Sequence, residues 1–481
     1  MLISLLIAII TFYGTYLWII GRKYSHLPGY LGNEFPIIGH LYYSLKSSFL
    51  THDDLIAYLK QQLPPGGGIS TLWSYCKPVV AVSDPILIEK LAGHPAFCDK
   101  EPLVYENISN FWKGTFTYAY SDTKWKQRRK IINHSMNNQN LINYHNTFVK
   151  IAKRMVDKME HESGAFNIER YTSMATMDSV IETHFGCDLN MIENNELYKI
   201  VHWGMSKVAK TFINPVYGFF LNIYLFFSIL TKPFHQIIET SLKNTREKRQ
   251  KATEDMTKNL YLEAMLEQYP SIDKNYKEIQ QELMEMLFVG SQPVSILVST
   301  ALVFLATLPE LQEKAWQEQQ NIFGDSDRDP TIMDLKNMEY LERVVKEVIR
   351  FISGPTLARR TKEEIIIDGK IIPPKTTVIL CSRIMLMDNY YWENPTMFNP
   401  DRYLGNEPSK SYNHAMSAFG YGIRNCPGSQ FTYIQGKVLL STVLRAFKVV
   451  SDRRYEDIKQ SAQLMMEIKE GKNISIVKRK M

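Results

Sequence analysis

One short segment near the end of the chain limits most strongly what this sequence can fold into. It runs from Phe419 to Gly428, reads FGYGIRNCPG, and leads into an apolar helical stretch. Its glycines let the main chain approach a flat group closely. Cys426 lies just before a helix N-terminus, where free N–H groups and the helix dipole stabilise an anion. The pattern is typical of a thiolate that binds a metal in a water-poor pocket.

The ordinary alternative for such a cysteine is a buried thiol in a glycine-rich turn. The other four cysteines fit that alternative, and five scattered cysteines form no disulfide framework: Cys76, Cys98, Cys187 and Cys381. The surroundings of Cys426 are more specific, because six fixed identities at about 5% usage each arise by chance in roughly 10⁻⁸ of windows. We therefore expect the bulk of the chain in a reducing compartment and a chemical role for Cys426.

The segment matches Phe-x-x-Gly-x-Arg-x-Cys-x-Gly, the haem-binding signature, and the chain resembles the cytochromes P-450. The resemblance implies that Cys426 is the axial ligand of the iron in haem b. It also implies that Phe419 packs over the sulfur, that Arg424 binds a haem carboxylate, and that Gly428 belongs to the same cofactor-binding loop.

Other elements resemble this family over nearly the whole chain. Trp125 and Arg129 match the family's Trp-x-x-x-Arg element and would contact a haem propionate. Arg359 stands where a strand usually supplies another propionate ligand, with Arg360 as a weaker substitute. Three arginines on two propionates would balance the charge of a buried anionic cofactor.

A structural pairing is implied as well. Glu347 and Arg350 form Glu-x-x-Arg on a helix, where residues three apart share a face. The family adds Arg402 as a third partner, which would lock the cysteine loop to that helix. Tyr403 stands where the family often has phenylalanine.

The central helix departs from the family pattern. The family usually has Ala/Gly-Gly-x-Asp/Glu-Thr-Thr/Ser over the distal face of the haem, but residues 289–295 read VGSQPVS. Gly290 would leave room near the iron, Gln292 replaces the acid, and Pro293 replaces the alcohol and lacks an N–H. Ser291 or Ser295 is a candidate to hold a water instead. These changes make residues 290–293 the candidate catalytic segment.

One further departure concerns the haem itself. Many members of the related insect and animal clan, which includes fatty-acid ω-hydroxylases, have a glutamate before the central glycine that can esterify the haem. Val289 stands there, so we expect no covalent bond besides the link from Cys426 to iron.

The expected fold is mostly α-helical with a small β region, the cytochrome P-450 fold of α+β class. The stretch from about Ile279 to Phe304 is apolar on nearly all sides, which predicts a buried central helix ending at 308–310. Residues 364–372 predict a hairpin with Asp-Gly at its turn. Most of residues 45–350 reads as helical.

The N-terminus predicts a membrane anchor. Residues 2–20 carry no charge and are followed by Arg22 and Lys23, which suits a spanning helix with the rest of the chain in the cytosol. A cleaved signal would need a basic start, a shorter apolar core and a small-residue cleavage site. We expect an anchor at 1–21, a Pro/Gly-rich linker at 22–44 and a catalytic domain at 45–481, in the endoplasmic reticulum membrane. The sequons at Asn107, Asn133 and Asn473 would then be unused.

The charge pattern bears on partners. A net charge of +6 is mild for 481 residues and argues against a nucleic-acid binder. No glycine-rich dinucleotide fingerprint is apparent, so the resemblance implies NADPH–cytochrome P-450 reductase as electron donor, with cytochrome b5 as an optional second partner. The basic residues expected around the proximal side are either a solvated face or its docking surface: Lys124, Lys126, Arg128, Lys130, Lys410 and Lys437. The aromatic stretch 212–234 is either core or a contact with the bilayer.

Three functions are consistent with the sequence. The first is a haem-thiolate monooxygenase that inserts one oxygen atom from dioxygen into a lipophilic fatty acid, steroid or hormone, or xenobiotic. The second is an isomerase or dehydratase of the same family that does not activate dioxygen, which Gln292 and Pro293 fit equally well. The third is a haem-binding protein with little or no turnover.

Overall fold

The computed structural model describes residues 2–29, 52–74, 77–102, 115–117, 120–194, 196, 198–199, 202–203, 237–245, 247, 260–269, 272–354, 357–404, 418–462 and 465–479. Helices form most of this part of the chain. In chain order they are α1 (Leu2–Arg22), α2 (His52–Gln62), α3 (Pro85–Gly93), α4 (Thr123–Ser135), α5 (Asn138–Met159), α6 (Ile168–Val180), α7 (Leu260–Gln268), α8 (Ile272–Thr307), α9 (Pro309–Phe323), α10 (Ile332–Asn337), α11 (Glu339–Ile352), α12 (Ser382–Leu386) and α13 (Ser429–Ala446).

Twelve strands form four sheets in the described residues. The largest has the order β1-β2-β8-β5-β3, in which only the β2–β8 pair is parallel. The others are β4-β12-β9, the hairpin β10-β11 and the hairpin β6-β7. The strands are β1 (Ile69–Ser74), β2 (Lys77–Val82), β3 (Asp99–Lys100), β4 (Phe166–Asn167), β5 (Leu357–Arg360), β6 (Ile365–Ile367), β7 (Lys370–Ile372), β8 (Thr377–Leu380), β9 (Phe447–Val450), β10 (Lys459–Ala462), β11 (Met466–Glu470) and β12 (Asn473–Lys478).

Helix α8 is the axis of the molecule and has 36 residues. It packs against α6, α11 and α13, and its middle and C-terminal side chains belong to the main hydrophobic core. The helix continues unbroken through Pro293, which donates no hydrogen bond to the carbonyl of Val289. The predicted buried central helix is present, with extra turns at its polar N-terminal end.

The hairpin predicted at 364–372 is also present. Asp368 and Gly369 join β6 to β7 with φ of 51° and 68°. Both values are positive, as the two-residue turns that suit the twist of paired strands require.

The first pair of strands in the large sheet lies within the stretch that reads as mostly helical. β1 and β2 pair antiparallel from Ile69 to Val82, and β2 is buried at nearly every position. A strand buried on both faces loses its alternating pattern, so periodicity cannot separate it from a buried helix.

Two described helices are long and apolar enough to cross a membrane, Ser4–Arg22 and Asn275–Thr307. The second is mostly buried inside the protein, as the core helix α8. The first is largely exposed, but Leu17 near its end is buried with Tyr24 and Leu27 against the large sheet. The linker residues 30–44 lie outside the described residues.

Candidate functional site

The loop that carries Cys426 is a closed turn against helix α3. The N–H of Cys426 donates to the carbonyl of Phe419 at 2.7 Å. Gly422 has φ +69°, and a Cβ there would lie 2.1 Å from the carbonyl oxygen of Ala92. Only glycine allows this approach, so the loop is fixed between α3 and the start of α13. Phe419 is partly buried, with its ring 6.0 Å from that of Tyr433.

Cys426 is an exposed residue of this loop. Protein atoms surround the loop closely enough that burial raises the pKa of the thiol. The N–H of Gly428 and the positive charges of Arg129 and Lys100 oppose this shift. These are the backbone and side-chain charges that a thiolate needs once a metal is bound to it.

A cluster of four cations, which we call the cation cluster, lies beside this thiol: Lys100, Arg129, Arg359 and Arg424. Lys100 and Arg359 stand opposite each other in the β3–β5 pair and therefore share a face of the sheet. Burial and the charge of the neighbouring Arg359 together lower the pKa of Arg424 to about 9. Burial and the three arginines also lower the pKa of Lys100.

The cation cluster fits a buried dianion. Partly buried cations that depress each other's pKa are costly unless negative charge is placed among them. Among the described residues, Asp99 acts on Arg424 and Glu285 acts on Lys100, but burial raises the pKa of the Glu285 carboxyl well above its usual value and so weakens its contribution. Two carboxylates of a haem placed over Cys426 would supply the rest, so the residues present fit this cofactor. Lys100 had no signal in the sequence, because its partner lies far along the chain.

The arginines are held by groups of the protein. Arg424 donates to Ser121 Oγ at 2.9 Å and to the carbonyl of Cys98 at 3.2 Å, and it stacks 3.9 Å from the ring centre of Trp125. Arg129 donates to Asn425 Oδ1 at 2.6 Å. The sequence assigns Trp125 to a propionate, but its indole N–H donates to the carbonyl of Phe116 at 3.0 Å. The ring of Trp125 also supports Arg424, and its contact with a propionate stays a prediction.

Glu347 is the centre of a buried hydrogen-bond network. Its carboxylate accepts from Arg350 at 2.9 and 3.0 Å, from Arg402 Nε at 2.9 Å and from the N–H of Asn399 at 3.1 Å. The hydroxyl of Tyr403 adds another bond at 3.2 Å. Neither Glu347 nor Arg350 is exposed. The network joins α11 to the segment of residues 399–403.

Two residues of the candidate catalytic segment, Gln292 and Pro293, lie on one open stripe of α8. Val289, Gln292 and Pro293 share a helix face and are partly exposed, whereas Leu287 and Val294 are each 1% exposed. Gly290, which the sequence predicts to leave room near the iron, is partly exposed and also lies against α6. A Cβ there would lie 3.0 Å from Val180 Cγ2, so this glycine allows α8 to approach α6.

The two serines considered as water holders have partners within the protein. Ser291 donates to the carbonyl of Leu287 at 2.5 Å. Ser295 lies 2.9 Å from Thr172 Oγ1 and 2.8 Å from Ser173 Oγ on α6. Both are buried, so they do not reach the open stripe.

The predicted basic face is smaller than the sequence suggests. Arg128 is buried and ion-paired to Glu282 at 2.6 Å, and Lys437 is buried and donates to the carbonyl of Leu335 at 2.6 Å. Both side chains bind inside the protein because α4 and α13 turn them away from solvent. Lys124, Lys126 and Lys130 remain exposed on α4. Lys410 and the aromatic stretch 212–234 lie outside the described residues.

Comparison with known proteins agrees with this geometry. The sequence model of the cytochrome P-450 family matches residues 32–474 of this chain. The chain belongs to the cytochrome P-450 family. It is 26% identical over 467 residues to cytochrome P-450 4c21 of Blattella germanica, covering 92% of this chain and 91% of that one. It is 28% identical over 442 residues to cytochrome P-450 4c3 of Drosophila melanogaster, covering 86% and 82%. Over 474 residues it is 25% identical to cytochrome P-450 4V2 of Homo sapiens, covering 93% and 89%.

These relatives confirm the resemblance to the insect and animal clan that includes ω-hydroxylases. The chain is a cytochrome P-450 monooxygenase with a haem whose iron is bound by a cysteine. The predicted fold class is confirmed as well. Of the other described cysteines, Cys187 and Cys381 are buried, and burial raises the pKa of Cys381 to about 12. Cys98 donates to the carbonyl of Pro95 at 2.9 Å, and Cys76 lies outside the described residues.

Proposed function

We propose that this P-450 inserts one oxygen atom from dioxygen into a lipophilic small molecule, with Cys426 as the axial ligand of haem b. The class of substrate is a fatty acid, a steroid or hormone, or a xenobiotic. One observation carries this proposal. Arg129 and Lys100 of the cation cluster act on the exposed Cys426, so a single site offers both a thiolate and countercharge for two carboxylates.

Each residue of the site has a distinct task. Cys426 holds the iron while the N–H of Gly428 takes part of the thiolate charge. Arg129, Arg359, Arg424 and Lys100 bind the propionates, and Trp125 orients Arg424 from beneath. Phe419 limits the access of water to the sulfur. Glu347, Arg350 and Arg402 keep the loop segments in register with α11.

Bound there, haem supplies the one-electron and dioxygen chemistry that side chains lack. The protein contributes fixed charges and an open stripe on α8 where substrate can approach. Val289 on that stripe has no carboxyl group. We therefore include in the proposal that the haem forms no ester bond with the protein.

The partners follow from the same reasoning. We assign electron supply to NADPH through a separate reductase, with cytochrome b5 as a second donor. The exposed Lys124, Lys126 and Lys130 on α4 support an acidic docking partner. The exposed apolar helix Ser4–Arg22 supports a single-pass anchor in the endoplasmic reticulum membrane, with the domain after the linker on the cytosolic side.

A second function has one observation in its favour. Gln292 and Pro293 occupy the open stripe in place of an acid and an alcohol, and neither can ionise to donate a proton. Family members that rearrange peroxides or dehydrate substrates need no such donor. Turnover of a hydroperoxide without reductase would favour this function.

The decisive experiment combines spectroscopy and turnover in the full-length protein. The reduced protein under carbon monoxide should show the red-shifted Soret band of a thiolate-bound haem, and Cys426→Ser should lose it. Lipophilic candidates are then screened by their displacement of iron-bound water. A candidate that binds should give oxygenated product coupled to NADPH consumption only when reductase is present. An intact haem protein without that band would disprove the assignment of Cys426.

A further inference from the structure

One buried acid of α8, Glu285, has no task in the proposed haem site. Its side chain is not exposed. The carboxyl group accepts the backbone N–H of Thr117 at 3.4 Å and is also hydrogen-bonded to the Thr117 hydroxyl. A buried carboxyl group without such partners would be costly. These bonds therefore fix the segment of residues 115–117 to the central helix.

Glu285 lies on the same face of α8 as the open stripe, one helical turn before Val289. Val289 is partly exposed, whereas Glu285 is fully buried. The neighbouring Phe116 is also buried. The segment of residues 115–117 therefore covers α8 where the stripe ends, and the bonds to Glu285 determine where this cover lies.

The same segment positions a side chain that contacts Arg424. The carbonyl of Phe116 accepts the indole N–H of Trp125 at 3.0 Å. Trp125 is buried, so loss of this acceptor would leave its N–H without a hydrogen bond. The bond sets the orientation of the ring, whose centre lies 3.9 Å from the guanidinium carbon of Arg424. Contacts between named atoms thus lead from α8 to the cysteine loop.

Helix α4, which carries Trp125, has a second attachment to α8. Arg128 Nη1 lies 2.6 Å from Glu282 Oε1, and both side chains are buried. This ion pair does not involve Glu285. A change at Glu285 should therefore move the segment of residues 115–117 and the indole, while α4 keeps its place.

We propose that Glu285 is a positioning residue for haem binding, which holds residues 115–117 in the place that Trp125 needs. Trp125 in turn keeps Arg424 directed toward a propionate. The inference rests on the proposed function, which assigns Arg424 to a propionate, and it adds a residue of the central helix to that task. Coupling of this kind shows itself in non-additive effects of substitutions.

The first test measures haem affinity of the full-length protein by transfer of haem to apomyoglobin. Glu285→Leu removes the hydrogen-bond acceptor of Thr117 and should lower the affinity by about tenfold. Glu285→Gln keeps an oxygen in the same place and should bind haem as the wild type does. In the Trp125→Phe background, Glu285→Leu should have no further effect, because the indole N–H is already absent.

The control for this test is Glu310→Gln, which changes an exposed acid on α9 and should leave haem affinity unchanged. Additive losses in the double variant would overturn the proposal, since Glu285 would then act without Trp125. Equal losses in Glu285→Gln and Glu285→Leu would overturn it as well, because the charge of Glu285 would matter and not its hydrogen bonds.

The second test uses haem-free protein labelled with ¹⁵N-tryptophan. The indole N–H signal that disappears from the NMR spectrum of Trp125→Phe belongs to Trp125. In Glu285→Leu its proton should move upfield, because the bond to the Phe116 carbonyl weakens, and in Glu285→Gln it should stay. An unmoved signal in Glu285→Leu would contradict the proposal. A wild type that binds no haem would instead disprove the proposed function, and the indole signal would still decide whether Glu285 positions Trp125.

Discussion

The hydroxyl of Tyr403 donates to Glu347 Oε2 at 3.2 Å, so a departure from the family's usual phenylalanine adds a bond to the buried network on α11. Tyr403→Phe removes this bond and leaves the ring. We expect the free energy of unfolding to fall by about 1 kcal/mol. Glu347→Ala leaves Arg350 buried without its carboxylate and should cost about 3–5 kcal/mol. Denaturant unfolding of both variants measures the difference, and equal losses would contradict it.

Removing Lys100 should have opposite effects with and without haem. In Lys100→Met the arginines of the cation cluster lose a repulsive neighbour, so the haem-free protein should be at least as stable as wild type. The bound propionates lose a counterion, and haem affinity should fall by about tenfold, which is about 1.4 kcal/mol. Haem transfer to apomyoglobin measures the affinity. The control Lys370→Met changes an exposed lysine of the β6–β7 hairpin, and an equal loss there would refute a specific role.

The buried pair of Arg128 and Glu282 should matter more than the exposed pair next to it. Glu282→Gln removes the buried carboxylate of Arg128 and leaves only the partly exposed Glu278, 3.2 Å away, so it should destabilise the fold by about 3 kcal/mol. Lys124→Met breaks an exposed ion pair with Glu278 and should cost less than about 1 kcal/mol. Thermal unfolding of the two variants tests this order, and a larger loss from Lys124→Met would reverse it.

Stability should decline as the pH falls, in part because of His184. Burial lowers the pKa of this histidine to about 3 in the folded protein. The unfolded chain binds the proton near pH 6.5, so stability is lost as pH falls from there toward 3. His184→Phe should flatten this part of the pH dependence by up to about 1.4 kcal/mol per pH unit. His134→Gln, an exposed control, should leave the slope unchanged.

Because Val289 has no carboxyl group to form an ester with haem, we expect acid extraction to release the haem from the protein. Acidified organic solvent should extract all of the haem, because acid protonates Cys426 and no ester remains. Mass spectrometry of the extracted protein should give the mass of the chain alone. A haem adduct on any peptide would show that another side chain forms the bond.

The sequence predicts well those features whose residues are neighbours in the chain. The loop around Cys426, the turn at Asp368 and Gly369 and the course of α8 all follow from local patterns. Features that depend on contacts between residues far apart in the chain could not be predicted from the sequence. The place of Lys100 depends on the pairing of β3 with β5, which sets it opposite Arg359.

The remaining predictions failed or stayed incomplete because the sequence does not show in which direction a side chain points. Arg128 and Lys437 look like members of a basic face until the helices turn them inward. Gly290 lies against Val180 of α6, which the spacing of residues in α8 alone does not reveal. Burial and partners decide such roles, and neither follows from residue type.

The large sheet places strands from residues 69–82 beside strands from 357–380. During synthesis on the ribosome, β2 therefore cannot pair with β8 until most of the chain has emerged. Cys426 follows later still. Haem insertion should then be one of the last events in the maturation of this enzyme, and cells short of haem should accumulate a chain whose early β strands are exposed to chaperones.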